Sequence, residues 1–157
     1  MKQLQFDFTS NLGGLARMFA IPTSSYHQLR RDYTTSLNYL EVINRDDIID
    51  LYFSEDTEGF SEAYEKGVYK VEISGIVPKS NPLNTDKLRR LDSEYWFVLI
   101  QDNNDFIRLA GTEENQLSFS RTDISGQISS RNQIEFLFSG SQTESCAFIT
   151  LDEMDKL

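Results

Sequence analysis

Apolar and polar positions alternate with a period of two over much of this chain, the pattern of half-buried β-strands. Leu4, Phe6 and Phe8 alternate with Gln3, Gln5 and Asp7. Tyr69, Val71 and Ile73 alternate with Lys70 and Glu72 in a strand expected over 68–77, where Gly75 suggests a bulge and Pro78 to Pro82 ends the run. The segment from Glu94 to Gly111 is the plainest. Two β-prone apolar runs flank Asp102, Asn103, Asn104 and Asp105, and such a turn between such runs predicts a β-hairpin. Strands are predicted at 95–101, 105–110, 115–120, 133–139 and 145–150, linked by turn residues that include Gly111, Ser125-Gly126 and Gly140. Short strands with turn chemistry at this spacing predict a mainly β fold, an antiparallel β-sandwich or a barrel-like sheet.

The first half is less regular. Leu15 to Ala20 suits a short helix or a strand. Over 26–43, Leu29, Tyr33, Leu37 and Leu40 fall at spacings of four, four and three. That stripe predicts one short helix near residues 26–40, capped by Ser24 or Ser25. Thr34 and Thr35 weaken it, and a long loop ending in a strand near 39–43 is the rival. Ile48 to Phe53 suits a strand, and residues 54–66 read as an exposed acidic loop. Residues 78–93 are polar and basic and read as a connecting loop or a helical turn between two halves of the sheet system. Residues 152–157 form a charged tail. No internal repeat is evident, which excludes a solenoid or propeller.

At 157 residues, the chain is most simply one β-rich domain, 1–157, large enough to bury a core without disulfides. Its 11 Phe, 7 Tyr and 1 Trp are more than a disordered chain carries. The net charge of -10 argues against direct nucleic-acid binding, because a polyanion repels an acidic surface unless basic residues cluster. Basic residues are dense only at Arg30-Arg31 and at Lys87, Arg89 and Arg90, without the interleaved aromatics that stack bases. No apolar run is long enough for a membrane helix and the N-terminal stretch does not read as a signal peptide, so the expected site of synthesis is the cytoplasm.

No catalytic constellation, metal motif or cofactor motif emerges. His27 is the only histidine, and no Gly-x-Ser-x-Gly elbow accompanies it. Cys146 is the only cysteine and sits in an apolar strand beside Glu144, a setting that suits a packing residue. Asp102 to Asp105, with Glu113 at loop position twelve, echoes a calcium loop. Phe106 and Ile107 stand where an oxygen ligand and a glycine belong, so the turn reading is preferred. Gly13-Gly14 lacks the lysine and spacing of a phosphate loop. Between 46 and 65 eight acidic residues occur with no lysine or arginine, either a solvated face or a surface for a cation or a basic partner. Trp96, Phe97, Phe106, Phe119, Phe136, Phe138 and Phe148 exceed what one face of a small sheet needs. Either central strands are covered on both sides or another subunit covers one face.

From Trp96 to Phe148 the chain carries Arg108-Leu109-Ala110-Gly111-Thr112, Leu117 and Phe119, Gly126, Arg131-Asn132, and Phe136-Leu137-Phe138-Ser139-Gly140. This order of turn glycines and aromatic strands resembles small structural proteins encoded in prophages of gut anaerobes, from the head–tail joining and tail region. The resemblance covers about the last third of the chain. It implies a non-enzymatic virion structural or assembly protein that joins other virion proteins or copies of itself in a ring, and that ends in the virion. Asp46, Asp47 and Asp50 against Lys87, Arg89 and Arg90 form one plausible pair of complementary patches for such self-association. The competing expectation is a β-sandwich module binding a sugar or peptide through an aromatic surface that includes Trp96 and Phe106. An exposed Trp96 would favour that module and a buried one would count against it. An enzyme with dispersed residues is the third reading.

Overall fold

A computed structural model describes residues 13–34, 37–54, 57–78, 81–125 and 132–150. The strand expected at Leu4 to Phe8, the motif residues Gly126 and Arg131, and the tail lie outside them. The described residues form 11 strands and one α-helix: β1 Leu15–Pro22, β2 Tyr26–Arg31, β3 Asn38–Val42, β4 Ile49–Asp50, β5 Gly59–Glu65, β6 Val68–Pro78, α1 Pro82–Leu91, β7 Tyr95–Asp102, β8 Ile107–Ala110, β9 Leu117–Ile124, β10 Gln133–Gln142 and β11 Ala147–Ile149. All 11 strands belong to one sheet in the order β2-β3-β11-β8-β7-β9-β10-β6-β5, with β1 paired to β7 and to β4 off that path. The fold is mainly β and sandwich-like, and the sheet does not close on itself.

The branch point is β7. Its one edge carries β1, and its other edge carries β8 near the C-terminal end and β9 near the N-terminal end. Alternation along β7 divides its apolar side chains between two cores. Trp96, Val98 and Ile100 face one, with Met18, Ala20, Val71, Ile73, Leu117, Ile134, Phe136 and Phe138. Phe97 and Leu99 face the other, with Phe19, Ile21, Leu40, Ile107, Leu109 and Ile149. The surplus of apolar residues in this hairpin is therefore explained within one chain: β7 is covered on both faces.

The β7–β8 turn uses its acidic side chain on its own backbone. Asp102 Oδ1 accepts hydrogen bonds from the amides of Asn104 (2.9 Å) and Phe106 (3.0 Å), and Asp105 takes a left-handed φ of 64°. Across the turn, Asn103 Nδ2 donates to Gly13 O at 2.6 Å and its amide donates to Gly14 O at 3.2 Å, fixing the entry to β1 against the hairpin tip.

Several expectations are corrected. Residues 26–40 are not a helix but the β2–β3 hairpin, paired from Tyr26↔Val42 to Arg31↔Asn38. The apparent helical stripe is not a face, since Tyr33 is 91% and Leu37 38% exposed. Tyr26, Leu29, Leu40 and Val42 instead pack in the second core, and Asp32 Oδ1 holds the turn by accepting from the Thr34 amide at 2.8 Å. Residues 78–93, read as a connecting loop or a helical turn, contain the ten-residue helix α1. Asn81 Oδ1 accepts from the Asn84 amide at 2.8 Å as N-cap, Pro82 starts the helix, and Leu88 and Leu91 enter the first core. The acidic loop at 54–66 contains β5, joined to β6 through Lys66 (φ 50°) and Gly67 (φ 91°), the positive angles of a tight hairpin turn. Gly75 is not at a bulge, because it pairs in register with Phe136. A Cβ there would lie 2.7 Å from Phe136 Cζ, so the glycine makes room for that ring. Among the described residues no helix is long and apolar enough to cross a membrane.

Candidate interaction surface

The two ends of the sheet path are β5 and β2, which among the described residues pair on one side only, to β6 and to β3. An edge strand presents unpaired N–H and C=O groups along its free side, a template for another chain. Gly59 and Phe60 at the start of β5 line a cleft of about 340 Å³ with Leu15 of β1, Ile100 of β7, and Phe106 and Arg108 of the β7–β8 hairpin.

Arg108 stands at the centre of this region for a simple reason of strand parity. Its neighbours Ile107 and Leu109 point into the second core, so Arg108 points to the opposite face. There its guanidinium carbon lies 5.2 Å from the Phe60 ring centre and 4.8 Å from that of Phe148. Phe106 packs edge-on against Phe148 at 6.1 Å. Phe106 is 53% and Phe148 41% exposed, so the hairpin tip and β11 present aromatic surface around a cation.

Beside it, Glu62 of β5 accepts a hydrogen bond from the Cys146 amide at 2.6 Å, linking β5 to the β10–β11 connection by a side chain. The Cys146 thiol is buried. Burial, and then the adjacent Glu62 carboxylate, push its ionisation well above the ordinary thiol range, so it stays protonated and inert. Gln142 is buried below it, accepting from the Gly111 amide at 3.0 Å and donating to Glu144 O at 2.7 Å, which ties β10 to the loop after β8. A wider cleft of about 660 Å³ lies between β2 and the loops at 111–114 and 143–146. Tyr26, at its edge, stacks on Phe97 at 4.0 Å, and its hydroxyl is pushed up to about 12 by burial and by Glu113.

The residues expected to form an aromatic surface separate. Phe106 is exposed, whereas Trp96 is only 2% exposed and its indole Nε1 donates to Leu91 O at 3.1 Å, locking β7 to the end of α1. Trp96 is a core residue that no sugar or peptide reaches. Phe60, Arg108 and Phe148 were not singled out as a site, although a cation between two core-facing positions of a short strand is a signal the sequence carries.

The charged residues expected at a self-association contact also divide. Asp47 Oδ2 accepts from Ser25 Oγ at 3.1 Å and from Asn44 Nδ2 at 2.8 Å, and Asp46 donates its amide to Asn44 Oδ1 at 3.2 Å, so both belong to the turn before β4. Asp50 and Lys87 line one cleft of the same chain, together with Arg17, Tyr52 and Phe53. Arg89 forms an exposed ion pair with Asp86 at 3.6 Å, and Arg90 lies in the last turn of α1. His27 lies exposed on β2.

Comparison with known proteins found no match to this chain among protein-family profiles, curated proteins or solved structures.

Proposed function

We propose that this chain is a non-enzymatic structural or assembly protein that works through protein–protein contacts, in the setting its motifs resemble: the tail or head–tail connector of a prophage-encoded particle. The observation that carries the reading is an open sheet whose end strands have one neighbour each among the described residues, with exposed aromatic residues beside one of them. Two distinct edges suit a heterologous contact, the kind that closes into a ring. The most nucleophilic side-chain type in the chain, the Cys146 thiol, is buried and protonated, which favours contact over catalysis.

Arg89 and Arg90 lie in the last turn of α1, and a contact between copies through them would exchange the exposed Arg89–Asp86 pair for one with the acidic turn at Asp46 and Asp47. Deleting the chain from an inducible prophage and imaging the particles tests the reading. Particles with unjoined or malformed tails are expected. Normal particles in normal yield overturn it.

A further inference from the structure

We propose that the cleft between β5 and β8 receives an extended segment of a partner protein with a single carboxylate, which pairs with Arg108 while the backbone lies along the side of β5 away from β6. This names the partner chemistry of the contact surface described above and rests on the assembly reading only in taking the partner to be a protein.

Among the described residues Arg108 is the arginine whose Nε is buried without a hydrogen-bond partner. Arg30, Arg31, Arg89 and Arg121 each form an ion pair with a carboxylate. Arg108 forms none among the described residues. Two phenyl rings hold the guanidinium plane but satisfy no N–H donor. A guanidinium so placed is preorganised, and its fork matches a carboxylate in a bidentate arrangement.

The carboxylates around the cleft are already engaged. Glu58 accepts from the amides of Leu15 (3.3 Å) and Thr57 (3.0 Å), Asp102 from Asn104 and Phe106, and Glu62 from Cys146. Their negative charge sets the selectivity. A doubly charged phosphate meets repulsion from Glu58 and Asp102, which line the cleft, whereas a single carboxylate places one charge directly on Arg108. Leu15, Phe60, Ile100 and Phe106 supply apolar walls for the flanking side chains. The side of β5 away from β6, unpaired among the described residues, supplies the backbone partners, the mode in which a peptide adds a strand to a sheet edge.

The test is an NMR titration of the full chain, following the Arg108 Nε–Hε resonance. The probes are the peptide Ac-Thr-Val-Asp-Val-Thr-amide and its counterpart with Asn replacing Asp. The aspartyl peptide is expected to shift the resonance saturably and the asparaginyl peptide to bind about tenfold more weakly, the loss of a charged hydrogen-bond pair. R108Q is expected to abolish the difference, with Trp96 emission confirming its fold, while R30Q leaves binding unchanged. Equal binding of the two peptides, or unchanged binding to R108Q, overturns the proposal. A resonance in the free chain already bonded to one of the chain's own carboxylates overturns it as well. Particles that contain the chain while R108Q assembles normally reject the carboxylate site alone. Peptide binding by a chain absent from particles rejects the assembly reading alone.

Discussion

Truncating Leu99 probes the claim that β7 is covered on both faces by its own chain. Leu99 is fully buried in the second core, against residues of β1, β8 and β11. Leu99→Ala removes three carbons from a site whose walls are strands held by ladders on both edges of β7, so collapse around the cavity is restricted. Substitutions of this kind cost about 2–5 kcal/mol, and the rigid surroundings favour the upper half of that range. With a urea dependence of about 2 kcal/mol per molar, the midpoint falls by roughly 1.8–2.5 M. Urea unfolding followed by Trp96 emission measures it, since the sole tryptophan lies in the other core and reports the same cooperative transition. Val98→Ala, on the opposite face, is expected to cost about 1–3 kcal/mol by the same logic. A loss below about 1 kcal/mol for Leu99→Ala, or a midpoint that falls on dilution, would refute the reasoning. The second result would mean that another copy covers this face.

Gly75→Ala is expected to destabilise by about 1–3 kcal/mol because its Cβ meets the Phe136 ring, and a second change, Phe136→Leu, is expected to recover part of the loss in the same urea assay. Asn81→Ala removes the cap of α1 and is expected to cost about 1 kcal/mol, read as a lowered thermal midpoint, with Asn81→Ser close to neutral. The Cys146 thiol is held protonated in the fold, while an unfolded thiol ionises near its ordinary value of 9.0. Its contribution to stability is therefore complete below pH 9 and lost as the pH rises beyond it, with Tyr26 adding a further loss between 10 and about 12. Urea midpoints from pH 7 to 11 should fall above 9 and fall less steeply in Cys146→Ala; an identical slope in the variant would contradict the assignment. Charge reversal at Arg89 and Arg90 is expected to weaken self-association in sedimentation velocity, and unchanged association removes that patch from the contact.

The C-terminal half was legible because its strands are bounded by turn residues and carry apolar groups in period two. Asp102 to Asp105 makes the turn its composition implied, and Trp96 to Ile100 is the central strand that its two apolar faces required. The N-terminal half misled for identifiable reasons. Leu29, Leu37 and Leu40 matched a helical period by coincidence, while the real determinant, pairing of β2 with β3, is a contact between strands that a local window does not contain. The strand β5 is an edge with Glu62 and Glu65 in it, and an acidic edge looks like a loop when only charge is counted. In α1 the signal was present in Asn81-Pro82 and in Leu88 and Leu91, but ten residues at the end of a polar stretch show too few turns for the period to stand out. The Arg108 cleft was hidden because Phe60, Arg108 and Phe148 come from three strands and meet only through the topology.

The most direct test of the assembly account is quantitative mass spectrometry of particles purified from an induced culture of the encoding bacterium. The account predicts this chain at many copies per particle, in a fixed ratio to the other structural proteins. Intact particles that lack the chain, with the chain abundant in the same lysate, would contradict it.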